Sequence, residues 1–458
     1  MVGRLSGSRL LVLCACASVT LAAVVGCGAD DATDAVSADF GARPSGAMTA
    51  WAFDNADDVG KARMAQVASA LADVKVTYDQ TGFNAQKFTT RLAGGDVPDV
   101  VQMDRQFVAT YAAQGLILPL DECFAAQDVR PREPFYGAVV DDVTYRGQIW
   151  GVPQFFQPAA IMVDTSVLSA AGVSAADIDT SRPDVLLAAI TKMYQESGGV
   201  PSRLGFDSQP TGQANLWFAG LGGRLVDQDG KPTLDDPANL HPLQLLKQIA
   251  DAQGGYAKVK SFVDAFDFFG ANNQYVRHQV GAELNAQWYP NVLSAYKGSV
   301  TLAAVPFKDR SGKPVGVTTG GQAFVVPAKA ANPAAACAWA VKLTAKDNWM
   351  AAAQARATTL TAKNGINTGL FTGSPEPDKA IREAFVKPSG DQGFDQTIAT
   401  YYDVVEAGVS AGSSPAGQNL KNDLNNAITA VLLGEKNPEQ ALADAQQSAL
   451  RAYETVTR

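Results

Sequence analysis

At 458 residues, with 47% hydrophobic and 18% charged side chains, the chain has the make-up of a globular protein long enough for two domains. A formal net charge of −9 argues against nucleic acid or an anionic membrane surface as the main partner. Two histidines, His241 and His278, are too few for a histidine-rich metal site, and no motif calls for a metal or another cofactor.

The chain opens on a targeting signal. Arg4 and Arg9 precede an apolar run at 10–25 that is short for a membrane span. It ends Val24-Val25-Gly26-Cys27, similar to the bacterial lipobox, in which the cysteine after a small residue is lipidated and becomes N-terminal; a plain secretory signal with an incidental cysteine is the other reading. Residues 1–26 are then the signal peptide. Residues 27–46, with little besides Val36 and Phe40 to bury, form a flexible tether. Cys14 and Cys16 leave with the signal, so Cys123 and Cys337 remain as an even pair in an oxidising compartment and a candidate disulfide. The sequence does not supply the distance between them.

Structure is expected from Ala47. A strand at 48–53 is followed by a helix at 59–71, with Val59, Met64, Val67 and Leu71 at helical spacing, and by an alternating strand at 74–78. Asn84 caps a short helix, a strand follows at 96–104, and 107–114 is helical with Gly115 closing it. This rhythm predicts a parallel sheet with helices on its faces. Next comes GQIWGVPQFFQ at 147–157, where Pro153 limits strand pairing and Trp150, Phe155 and Phe156 crowd around it. The stretch suits either a buried core strand or a strand crossing a gap between domains. The rhythm resumes with a strand at 161–163, helices from Ser181 and at 240–252, and strands at 300–306 and 322–327. Helices at 332–343, 415–433 and from Asn437 follow, the first and last opened by Asn-Pro.

Catalytic signals are few. Gly408-Val409-Ser410-Ala411-Gly412 fits the G-x-S-x-G elbow, but a helix rather than a strand precedes it and both histidines lie upstream. The acidic pairs Asp57-Asp58, Asp141-Asp142 and Asp235-Asp236 sit in turn-like contexts, where solvation explains them better than glycosidase chemistry. What recurs is an aromatic beside weakly charged polar groups. Trp51 sits with Asp54 and Asn55; Trp150, Phe155 and Phe156 with Gln154 and Gln157; Trp217 near Asn215; Trp288 and Tyr289 with Asn285, Gln287 and Asn291. Flat sugar faces stack on such rings while the polar groups bond hydroxyls, which binds without reacting.

In order and spacing, FTTRLAGGDVPDVVQMD at 88–104, AQGLILPL at 113–120, GQIWGVP at 147–153, WFAGLGGRL at 217–225, GAELNAQW at 281–288, GGQAFVVP at 320–327 and GEKNPEQALA at 434–443 resemble one family. It is that of the maltose-binding-protein-like extracellular solute-binding proteins of carbohydrate ABC importers. The resemblance implies an α/β, two-lobed periplasmic-binding-protein-like fold of class II, with crossover strands as a hinge and a ligand cleft between the lobes. Lobe one would be 47–150 and 307–355, and lobe two 151–306 and 356–458. The crossings would fall near 151–156, 305–308 and 356–360. Both Cys123 and Cys337 then lie in lobe one, where a bond would not obstruct the hinge.

The resemblance also implies a lipid-anchored, extracytoplasmic, monomeric binder that is not an enzyme. It would take a small carbohydrate and deliver it to permease subunits of an ABC importer. The ligand set it implies starts with Trp51, Asp54, Asn55, Met103, Asp104 and Arg105, and continues through Gln154 to Gln157 as cleft floor. Trp217, Gln287, Trp288 and Tyr289 would face it from lobe two, with Gly320, Gly321 and Gln322 as a close backbone approach. Arg356, with Arg105, would serve a rival phosphate-bearing ligand such as a glycerophosphodiester. Gln157 stands where the family's maltose binder has an acidic sugar contact.

Overall fold

Side-chain caps start the helices where the sequence places them. Asp57 accepts from the Gly60 amide to open Asp58–Ala70, and Asn84 accepts from Lys87 to open Ala85–Gly94. Asn332 and Asn437 do the same for Pro333–Leu343 and Pro438–Thr457, each with proline in the first turn. The computed structural model describes residues 38–53, 57–317 and 321–458. The signal segment, Cys27, Asp54, Asn55 and Gly320 lie outside the described residues.

Two five-stranded mixed sheets organise the chain. The first runs Val74–Asp79, Gly46–Trp51, Val100–Asp104, Gln322–Val325, Val152–Gln154. Its first three strands are parallel, and Gln322–Val325 is antiparallel to both of its neighbours. The second runs Leu302–Val305, Ala159–Asp164, Val280–Ala286, Val200–Asp207, Gln195–Ser197. Helices cover both faces of each, giving two α/β lobes. One apolar cluster runs from the first sheet through Phe156 and Phe371 to the second, so residues 38–458 hold together as one unit.

The passages between lobes differ from those expected. Val152–Gln154 pairs with Gln322–Val325 in the first sheet, so the chain leaves lobe one only after Gln154. Phe307, Val315 and Val317 pack in the core of lobe two, so the return follows Val317 instead of preceding Phe307. The third crossing expected at 356–360 falls inside one continuous helix, Lys346–Ala362, against which Pro375–Phe385 packs. Gln392–Glu406 then packs on Leu302–Val305, with Gln396 bonding both backbone groups of Ala304, so that passage lies between these two helices.

The tether also ends earlier than expected. Phe40 is buried in the core of lobe one, and Arg43 pairs with Asp73. Cys123 of Asp121–Ala126 and Cys337 of Pro333–Leu343 are bonded, their Cα atoms 5.7 Å apart, and both are fully buried.

Candidate ligand-binding cleft

Between the two sheets the carboxyl ends of parallel strands face an open groove, the position where open α/β sheets hold ligands. Val100–Asp104 ends at Asp104, and Val280–Ala286 runs on into Gln287 and Trp288. Two cavities meet at Gln157. One, of about 490 Å³, is walled by Phe155, Gln157, Gln287, Trp288, Asn291, Arg356 and 368–371. The other, of about 170 Å³, is polar: Asp104, Arg105, Asp142, Gly321 and Gln322 face Asn215, 411–413 and Lys421 across it. A third, of about 450 Å³, opens beside Asp104, Met103 and Gln322.

Several residues expected in the cleft lie elsewhere. Trp51 is fully buried: alternation along its strand turns it away from Met48 and Ala50, onto Phe83 and Phe88, with its indole donating to Thr81. Trp217 is likewise buried, packed on Phe206 and Phe307 with its indole N–H on the Ser208 carbonyl. Tyr289 stacks on Phe268 in the core, and Phe156 packs edge-on against Tyr136. Gln154 has no exposure; it accepts from Arg63 and donates to Gln102, whose own amide donates to Gln322. Met103 is core, touching only the side cavity.

The two arginines are engaged. Arg105 is 3% exposed, pairs with Asp142 at 3.0 Å and donates to the carbonyls of Gln154 and Phe155. Gly321 is pressed against it: a Cβ there would stand 2.1 Å from Arg105 Nη1, so only glycine fits. Arg356 pairs with Asp57 and Asp58 at 2.7 and 2.8 Å. Ser410, the serine of the elbow motif, donates to Asp142 across the lobes in a loop position, and neither histidine is among its partners. Asp57, Asp142, Lys421 and 368–371 were missed as cavity lining, whereas Asn291 stands beside Trp288 as the aromatic–polar pattern has it. Lys421 and 368–371 belong to segments remote in sequence from the aromatic stretches, and only the fold brings them in.

Behind Gln287 lies a buried acid pair. Asp207 and Glu283 stand opposite each other on neighbouring parallel strands, both buried. Burial pushes both carboxyls above their usual range, and the charge of Asp207 adds to the rise at Glu283. Glu283 accepts from Gln274 at 2.9 Å and Gln209 at 3.3 Å. A carboxyl that holds its proton more tightly folded than unfolded loses stability as pH climbs through its raised pKa. Glu283→Gln should therefore raise stability above neutral pH by of order 1–2 kcal/mol, and the melting temperature with it, the gain shrinking to nothing in acid. Gln274, whose Oε1 has no partner, can turn over to accept from the new amide. Thermal melts of both proteins from pH 5 to 9 check this, and a gain independent of pH would contradict it.

No helix among the described residues is long and apolar enough to cross a membrane. No curated protein matches the chain closely enough to count as a relative. Among solved structures it is similar to CpMnBP1 with mannobiose bound, at 20% identity over 88% of this chain and 99% of that one, with a TM-score of 0.67. It is similar to the sugar-binding protein MalE from Xanthomonas citri, at 16% identity over 90% and 98%, with a TM-score of 0.68. UgpB from Mycobacterium tuberculosis in complex with glycerophosphocholine aligns at 15% identity over 90% and 99%, with a TM-score of 0.64. These likenesses establish the two-lobed class II binding-protein fold. Residues 57–357, well over half of the chain, match the sequence family described as bacterial extracellular solute-binding protein. A family that binds solutes, rather than converting them, accounts for an elbow serine with no histidine partner. By sequence and by fold, the chain belongs to the bacterial extracellular solute-binding proteins.

Proposed function

We propose that the protein captures a carbohydrate outside the cell, anchored by lipid at Cys27, and delivers it to the membrane subunits of an ABC importer. The observation that carries the sugar reading is the wall of the larger cavity. Half-buried Trp288 stands beside Gln287 and Asn291, whose Oε1 and Oδ1 are buried without a protein partner. Buried polar atoms are nearly always bonded, so a pair left over at a cavity wall suits ligand hydroxyls, and the ring suits a flat sugar face. The ligand set is accordingly Asp104, Phe155, Gln157, Gln287, Trp288, Asn291, Gly321 and Gln322, with Arg356 at the edge. A phosphate-bearing ligand is the lesser reading: Arg105 and Arg356 are already paired to aspartates, which leaves Lys421 among the described residues lining the two cavities.

Closure of the lobes would follow binding as a population shift, completed by contacts that only the closed form makes. A thermal-shift and calorimetric panel tests the reading, with mono-, di- and trisaccharides, amino sugars and glycerophosphocholine as probes. Saturable binding of a sugar supports it, and binding of the phosphodiester alone overturns it. The mass of the mature N-terminus, native against Cys27→Ser, checks the anchor.

A further inference from the structure

Asp378 lies outside the cleft, on Pro375–Phe385, and is 1% exposed. Its Oδ1 accepts from both the amide and the hydroxyl of Thr372, each at 2.7 Å, and its Oδ2 accepts from the Tyr136 hydroxyl at 3.2 Å. Thr372 is itself laced to the first crossing: its carbonyl accepts from the Phe155 amide at 2.9 Å, and the Phe371 carbonyl accepts from Phe156 at 3.3 Å. Gly373 completes the knot by accepting from the Tyr136 amide at 3.0 Å. Phe155 holds φ +57, a left-handed conformation that a bulky residue adopts only when its surroundings impose it. Phe155 and Phe371 both stand in the wall of the larger cavity.

We propose that Asp378 is a positioning residue for the cleft: through Thr372 it pins the crossing at Phe155 and sets where Phe155 and Phe371 stand beside the ligand. The consequence for binding rests on the larger cavity being the ligand site; the pinning itself does not. The groups facing Asp378 are Tyr136 from the neighbouring segment and Tyr402 and Glu406 from Gln392–Glu406, with Arg382 of its own helix over the Tyr402 ring. Burial pushes the Asp378 carboxyl up to about 7, and the charge of Glu406 adds to the rise against the bonds from Thr372 and Tyr136. Protonated at Oδ2, the group keeps both Thr372 bonds on Oδ1 and donates to the Tyr136 oxygen. Ionised, it carries a buried charge that favours opening. The pin is therefore tight below neutrality and loosens as pH rises through about 7.

Amide hydrogen exchange on the full chain without ligand tests this, read at Phe155 and Thr372 and corrected for intrinsic rates. Asp378→Ala should speed exchange at both amides about tenfold relative to the Gln322–Val325 strand. Asp378→Asn, which can accept from Thr372 and donate to Tyr136, should stay within about threefold of the unmodified protein at pH 6. From pH 6 to 8, opening should rise about tenfold in the unmodified protein and stay level in Asp378→Asn. Should Asp378→Ala fail to fold, Thr372→Val, which keeps the amide and removes the hydroxyl, carries the test with an expected rise of about threefold. Unchanged exchange in the alanine variant, or an asparagine variant as open as alanine, overturns the proposal. Neither outcome depends on which solute is bound, so a failed sugar panel leaves this result standing and a failed exchange experiment leaves the sugar reading standing.

Discussion

Replacing Trp288 with alanine should raise the Kd of the bound sugar roughly 30- to 100-fold, about 2–3 kcal/mol. The ring stands in the wall of the larger cavity beside Gln287 and Phe155, and its loss removes the flat apolar surface while leaving the amides in place. The free protein should lose about 1 kcal/mol of stability, because Trp288 also stacks on Phe269, meets Phe268 edge-on and is only half-buried. Trp217→Phe supplies the contrast. That indole is fully buried behind the groove, so its replacement should lower the melting temperature and leave the Kd within about twofold. Calorimetry on the two variants separates ligand contact from core packing, and a Kd unmoved by Trp288→Ala would move the site elsewhere.

Loss of the Cys123–Cys337 bond should have the largest effect on stability. The bond closes a separation of 214 residues, for which chain entropy alone gives about 5 kcal/mol as an upper bound, with 2–4 kcal/mol typical of measured cases. Both sulfurs are buried between two helices of lobe one, so Cys337→Ser also leaves a hydroxyl in an apolar setting. A fall in melting temperature is expected in the variant and in the reduced native protein, with sugar affinity unchanged wherever the protein remains folded. An unshifted melt would show that the bond carries no stability.

The strand–helix alternation and the caps at Asn84, Asn332 and Asn437 were legible because their causes are local: period, capping side chain and proline position. The family resemblance was legible because short motifs keep their order. The faces were not. Trp51 sits at the end of a strand near the cleft, yet strand alternation points it to the helix-covered side, and no local signal distinguishes the two sides of a strand buried on both. The resemblance implied a third crossing at 356–360, and nothing local spoke against it: Lys346–Ala362 has little apolar contrast between its faces, so the periodicity that marks a helix is weak there. Lys421 and 368–371 reach the cavities only through packing between elements far apart in the chain.

The interleaved first sheet has a consequence for how the chain comes to fold. Gln322–Val325 sits between Val100–Asp104 and Val152–Gln154, so those two strands have no direct partner in each other. During synthesis, a gap stays open between the third strand and the edge strand of the first sheet until the chain has passed residue 325, after all strands of the second sheet have been made. The cysteine that closes the covalent link, Cys337, comes later still. Threading this fourth strand last keeps the leading lobe incomplete until most of the chain has been made.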